Sequence, residues 1–162
     1  MKKILAALCA IFALSVVQTA IADEADPRIS VALKRNDIKF EVNESNNFRI
    51  ICETDEENNR DQLIIVNSKT EKYGSLELRE IWSIGYRVSE GSTVPASVVK
   101  KAMTSSDNYK LSFWELTESE EVLFHCARVP ANLDDETLIK VIFDIGETAD
   151  KFEAENLGTD EL

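Results

Sequence analysis

Beyond the apolar N-terminal run, which holds Cys9, three side chains have the reactivity for chemistry at neutral pH: His125, Cys52 and Cys126. His125 is the only histidine, and no serine lies in a nucleophile-elbow pattern that would make it the base of a hydrolytic dyad or triad. It reads as a structural or surface histidine in the middle of a strand, between Phe124 and Cys126. Adjacent strand residues point to opposite faces, so His125 and Cys126 are badly placed to share a metal. Zinc would want a Cys-x-x-Cys or His-x-x-x-His spacing, and neither occurs. Catalytic, cofactor and metal sites are therefore expected to be absent.

The cysteines pose a different question. Cys52 shares parity with Phe48 and Ile50, and Cys126 with Val122 and Phe124, so both are expected to face inward. One Cys52–Cys126 disulfide is permitted but not required, and it would need strands that bring the Cα atoms within roughly 7 Å. Two buried free thiols are the other outcome.

Acidic pairs abound: Glu56-Glu57, Glu120-Glu121, Asp134-Asp135. Nothing in the sequence sets two of them across a cleft. The loop Asp55 to Asp61 lacks the alternating oxygen ligands and central glycine of a calcium-binding loop, and reads as solvated. Among aromatic residues, Trp82 and Trp114 stand out. Parity with Leu78 and Ile84 makes Trp82 core; Trp114 covers a helix or is exposed. Exposed, either would mark an interface.

The chain begins Met1-Lys2-Lys3, continues with an apolar run from Ile4 to Val17, and reaches the small residues Ala20 and Ala22 before Asp23-Glu24. Positive, apolar and small-x-small is the order of a secretory signal peptide, expected to be cleaved after Ala22. The run of about 14 residues is short of the roughly 20 that span a bilayer as a helix. Cys9 lies inside it rather than at its end, unlike a lipoprotein's cysteine. A periplasmic or secreted mature chain of residues 23 to 162, with no membrane association after cleavage, is the expectation.

Cleavage removes Lys2 and Lys3 and no acid, leaving 16 basic and 30 acidic side chains and a net charge of −14. That excess repels phosphate backbones and anionic lipid, which sets nucleic-acid binding aside. A chain of this length buries about two-thirds of its unfolded surface and needs no staple to fold.

The elements read in order. Asp26-Pro27 opens a short helix to about Asn36, with Ile29, Ala32 and Leu33 on one face. Strands follow at Ile38 to Val42, Phe48 to Glu53 and Leu63 to Val66, the last apolar on both sides and so expected in the middle of a sheet with cover on both faces. Lys69 to Gly74 reads as a turn. Leu76, Leu78, Trp82, Ile84, Tyr86 and Val88 keep even parity and predict one long or bent strand with that parity inward, although Ser75 to Ile84 also fits a helical turn or two. Pro95 starts a helix containing Val98, Val99, Ala102 and Met103; strands at Leu111 to Glu115 and Val122 to Val129 come next. Asp134 caps an amphipathic helix carrying Leu138, Ile142, Ile145, Ala149 and Phe152, which ends before Gly158. The order is α-β-β-β-(β)-α-β-β-α: one α+β domain, an antiparallel sheet of about five strands with helices packed on it.

Leu78-Arg79-Glu80-Ile81-Trp82-Ser83 leading into Tyr86-Arg87-Val88, the segment Asn108 to Leu116, and Ala149 to Gly158 together resemble the YbjN family, whose fold is similar to that of type III secretion chaperones. The resemblance covers about residues 28 to 158. It implies a small non-catalytic domain that pairs with itself as a homodimer or offers an apolar surface or sheet edge to a protein or peptide. Members are mostly read as cytoplasmic; this chain departs from them in its leader. Two function classes follow: an exported protein-interaction module, and an acidic small-ligand or divalent-cation-binding periplasmic protein.

Overall fold

The computed structural model describes residues 24–55 and 60–158. The expected signal peptide and the expected cleavage point after Ala22 lie outside the described residues, as do residues 56–59 of the acidic loop. Helix α1 (Pro27–Arg35) leads into β1 (Glu41–Val42), β2 (Phe48–Asp55), β3 (Arg60–Tyr73) and β4 (Leu76–Arg87). Helix α2 (Ala96–Ser105), a 3-10 turn (Ser106–Asn108), β5 (Ser112–Leu116), β6 (Val122–Pro130) and helix α3 (Asp135–Asn156) complete the fold. The strands form a single antiparallel sheet in the order β1-β2-β3-β4-β6-β5. The α+β class and a helix layer on one side of the sheet hold; there are six strands rather than about five.

Both flanking helices start where a carboxylate can cap them. Asp26 accepts from Arg28 N–H at 2.9 Å and Asp134 from Thr137 N–H at 2.9 Å, filling donors that the first turn leaves unpaired. Helix α3 lies across β2, β3, β4 and β6, α1 leans on α3, and α2 packs near β5. The larger core joins Ile29 and Leu33 of α1 to Phe48, Ile50, Ile64, Ile81, Val129 and the buried stripe of α3. A second cluster joins Tyr86, Trp114 and Leu123 to Ala102 and Phe152. Each helix thus covers the same face.

Gly146 explains its own place in α3. A Cβ there would stand 2.6 Å from Ile64 Cδ1, so the missing side chain lets the helix settle on β3. Glycine in mid-helix costs about 1 kcal/mol relative to alanine, and the close approach offsets it.

Strand β4 corrects the parity expectation. It is one long strand, but its inward set is odd: Arg79, Ile81, Ser83 and Gly85 are buried against the helices. Leu78, Glu80, Trp82 and Ile84 face the other way and are half-buried. A register irregularity between Ile84 and Tyr86 then restores Tyr86 to the inner face. Counting apolar residues favoured the even set because the bulge had joined two faces into one apparent stripe. Strand β3 is longer than Leu63 to Val66 and runs through the expected turn, because Thr70 to Tyr73 pairs with Leu76 to Arg79 as a hairpin with its bend at Gly74-Ser75.

Candidate functional site

Among the described residues no helix lies on the sheet's second face, so the cover on both sides expected for Leu63 to Val66 is found on one side only. Across it, the register sets Trp82 beside Ile65 on one flank and Cys126 on the other, with Phe113 beyond Cys126. The neighbouring row holds Ile51 opposite Leu63, and Ile84 opposite Phe124. Eight side chains over five strands make an apolar block free of charge. Trp82 meets Phe124 edge to face at 5.1 Å between centroids and donates its indole N–H to Asn67 Oδ1 at 3.3 Å. Glu80, Trp82, Glu115, Phe124 and Cys126 surround a depression of about 110 Å³. Ile51 stands proud of the same face, 56 % exposed.

Charges border the block and are mutually satisfied. Arg128 lies over the Phe113 ring at 4.9 Å and donates to Glu80 at 3.0 Å and Glu115 at 2.6 Å. Arg49 sits 3.7 Å from Glu41 on the far edge. Beyond Glu80, a groove of about 520 Å³ runs along the β3–β4 hairpin beside Asn67, Leu78 and Arg128.

The two tryptophans singled out as interface residues are therefore separated. Trp82 belongs to the open face. Trp114 is core: its ring packs 4.4 Å from Phe152 and 4.8 Å from His125, and its N–H donates to Ser105 Oγ at 3.0 Å. Gly85 makes room for it, since a Cβ there would stand 2.6 Å from the indole.

The expected inward direction holds for Cys52, which lies under α3, and fails for Cys126, which faces the open side beside Trp82. Strands β3 and β4 lie between them, and the two thiols point to opposite faces. Three strand spacings of about 4.8 Å put their backbones well beyond disulfide reach. Both are free, buried thiols, and the Cys52–Cys126 bond is ruled out in this fold. Burial pushes the Cys52 thiol up to about 11 and the Cys126 thiol up to about 12, helped by nearby carboxylates. Neither has the activated character of a nucleophile.

His125 is fully buried on the covered face, between Tyr109 at 4.7 Å and Trp114. Its ring nitrogens have no well-formed hydrogen bond, and burial holds its pKa down to about 4 against a weaker opposing backbone contact at Ile145. It stands beside Ser83 of the adjacent β4, but Ser83 donates its hydroxyl to Leu63 O at 2.7 Å and accepts from Gln62 at 2.9 Å. The serine is committed elsewhere, so the pair is not a nucleophile and its base.

Among the described residues, no group of three or more His, Cys, Asp or Glu is placed to hold a metal, and no helix is long and apolar enough to cross a membrane. Sequence reasoning missed the buried polar set. Arg79, 1 % exposed, pairs with Asp26 and donates to the Asn67 and Ser68 carbonyls. Arg60 reaches Asp150 at 2.7 Å and Glu153 at 3.4 Å under the end of α3. The signal was present for Arg79 in its alternation with Ile81 and Ser83. Comparison with family models, curated proteins and solved structures finds no match.

Proposed function

We propose that the mature chain is an exported, non-enzymatic protein-interaction module of the YbjN and secretion-chaperone-like type, which binds a protein or peptide partner on the open face of its sheet. One observation carries this reading: a continuous apolar block of Ile51, Leu63, Ile65, Trp82, Ile84, Phe113, Phe124 and Cys126 that none of the described helices covers. One-sided antiparallel sheets ordinarily carry polar side chains outward. A patch of large apolar residues rimmed by charge marks an interaction surface. The charged rim at Arg128, Glu80 and Glu115 would set orientation rather than affinity.

The test is capture from a periplasmic extract by the mature chain, by its Trp82→Glu variant and by a control changed at exposed Met103. A stoichiometric protein retained by the wild type and the control and lost with Trp82→Glu supports the reading. Its repeated absence counts against it. Export is tested separately, by the intact mass of the protein from its producing cell: a chain beginning at Asp23 is expected, and one retaining residues 1 to 22 would sink it.

A second reading, a small-ligand or divalent-cation-binding periplasmic protein, has a groove of about 490 Å³ in its favour. It runs between α3 and the segment 108–112, lined by Tyr109, Leu111, Glu136, Lys140, Asp144 and Glu147. A ligand at one hundred times its dissociation constant adds about 2.7 kcal/mol, so thermal shift with calcium, magnesium and zinc separates the two.

A further inference from the structure

We propose that the groove between α3 and residues 108–112 binds a small organic cation: a primary amine whose ammonium rests at the Tyr109 ring and the Glu147 carboxylate, and whose apolar body lies along Leu111, Val141 and Ile145. This rests on the reading of that groove as a small-ligand site, and names the class of ligand.

The groove has the size and the floor for such a molecule. At about 490 Å³ it lies within the usual range of small-molecule sites. Val141 and Ile145 are buried in its α3 wall, and Leu111 opposite them is 52 % exposed. A metal ion would gain nothing from apolar walls, and no three His, Cys, Asp or Glu among the described residues are grouped to hold one. Beneath the groove stands His125, fully buried. Its ring packs 4.7 Å from that of Tyr109 and touches the backbone at Ile145, so it lies where the two walls meet. Neither ring nitrogen has a well-formed hydrogen bond. Native folds leave few buried polar groups unpaired, and one under a groove points to a ligand that answers it. Burial keeps the imidazole neutral, so it has a lone pair to accept an ammonium N–H that reaches the seam as the Tyr109 ring turns.

Charge decides the sign. Glu136, Asp144 and Glu147 line the groove against Lys110 and Lys140, and Lys140 is held by Asp144 at 2.9 Å. Glu136 and Glu147 form no ion pair among the described residues. The chain's net charge of −12 draws cations toward it and repels anions. The fold already seats one ammonium in this manner. Lys101 Nζ lies 5.7 Å over the Phe152 ring and 2.9 Å from Glu155, in a hollow that shares Tyr109 and Glu147 with the groove. Tyr109 and Glu147 repeat that combination of aromatic face and carboxylate, the pair of groups that recognises an alkylammonium.

Titration of the purified protein with hexylamine, hexanol and hexanoate, followed by calorimetry and proton NMR, tests this. His125 is the only histidine, so its ring protons report the seam without overlap. Hexylamine is expected to shift them saturably with a Kd below about 1 mM, hexanol to bind at least about tenfold more weakly, and hexanoate to leave them unmoved. Glu147→Gln, at an exposed position, and Tyr109→Leu are each expected to weaken hexylamine about tenfold with an unchanged circular dichroism spectrum. Ile51→Glu, on the opposite side of the sheet, is expected to leave it unaltered. Hexylamine affinity that survives Glu147→Gln overturns the proposal. Hexanol or hexanoate binding as tightly as hexylamine overturns the amine and leaves a small-ligand groove. No saturation by about 10 mM hexylamine, with a thermal shift from calcium, magnesium or zinc, overturns the amine and leaves the cation-binding reading standing. Silence from all three compounds and all three metals defeats both.

Discussion

Trp82 and Trp114 stand on strands two apart in one sheet, β4 and β5 with β6 between, and point to opposite sides of it. Trp114 is 5 % exposed and closes the second core against Phe152; Trp82 leans edge to face on Phe124 with none of the described helices above it. The pair divides the protein into a face that folds it and a face left available. Truncation should read that difference out. Trp114→Ala is expected to cost about 3–5 kcal/mol of stability, the usual toll of emptying a large buried site. Trp82→Ala, at a half-buried site, is expected to cost about 1 kcal/mol. Urea unfolding of both variants checks this, and equal losses would place both rings in the core.

Gly146→Ala tests the seat of α3. The added methyl gains about 1 kcal/mol of helix propensity. It would also stand 2.6 Å from Cδ1 of fully buried Ile64, and overpacking of that kind costs about 1–3 kcal/mol. Net destabilisation is expected, and a companion Ile64→Val change should restore part of it. A melting temperature that rises with Gly146→Ala alone would show that helix and strand are not in contact there.

His125 predicts acid sensitivity. In the native state its pKa is held down to about 4 by burial, against about 6.5 in the unfolded chain. The unfolded state binds the proton first, so stability is fully present above pH 6.5 and falls as pH drops toward 4. The shift is equivalent to roughly 3 kcal/mol. Asp26, held down to about 2 by hydrogen bonds from Arg28 and Arg79, adds a separate loss only below about pH 4. His125→Phe is expected to flatten the unfolding free energy between pH 6.5 and 4; a slope unchanged by the substitution would assign it to other groups.

Arg79 and Asp26 form the ion pair that ties the chain ahead of α1 to the sheet. Asp26→Ala leaves a guanidinium that is 1 % exposed with only carbonyls to answer it. Removing one partner of a buried pair costs about 3–5 kcal/mol, whereas replacing both with apolar residues is far milder. Asp26→Ala with Arg79→Met should therefore be more stable than Asp26→Ala alone by thermal melt. Additive losses would refute the coupling.

Two free thiols are expected in the chain cleaved after Ala22, by intact mass after alkylation in denaturant. The melting temperature should not change with reductant. In the folded protein both should react slowly, since burial keeps them in the thiol form. A mass two hydrogens light before reduction would contradict the strand order that separates Cys52 from Cys126.

The α+β class, the positions of the helices and their caps at Asp26 and Asp134 were legible in the sequence because they are local. A carboxylate meets amides two or three residues away, and an apolar stripe at helical spacing needs no knowledge of its neighbour. The inward direction of Cys52 and the opposite facing of His125 and Cys126 were legible for the same reason. Which face of β4 turns inward was decided by tertiary structure alone. Alternation defines two faces but does not say which one a helix will cover, and the irregularity at Ile84–Tyr86 shifts parity by one residue without a mark in composition. Strand order was equally out of reach. It alone separates Cys52 from Cys126, sends Trp114 beneath α3 and leaves Trp82 on the open side, because contacts between strands far apart in the chain depend on how the sheet is assembled and not on any one segment of it.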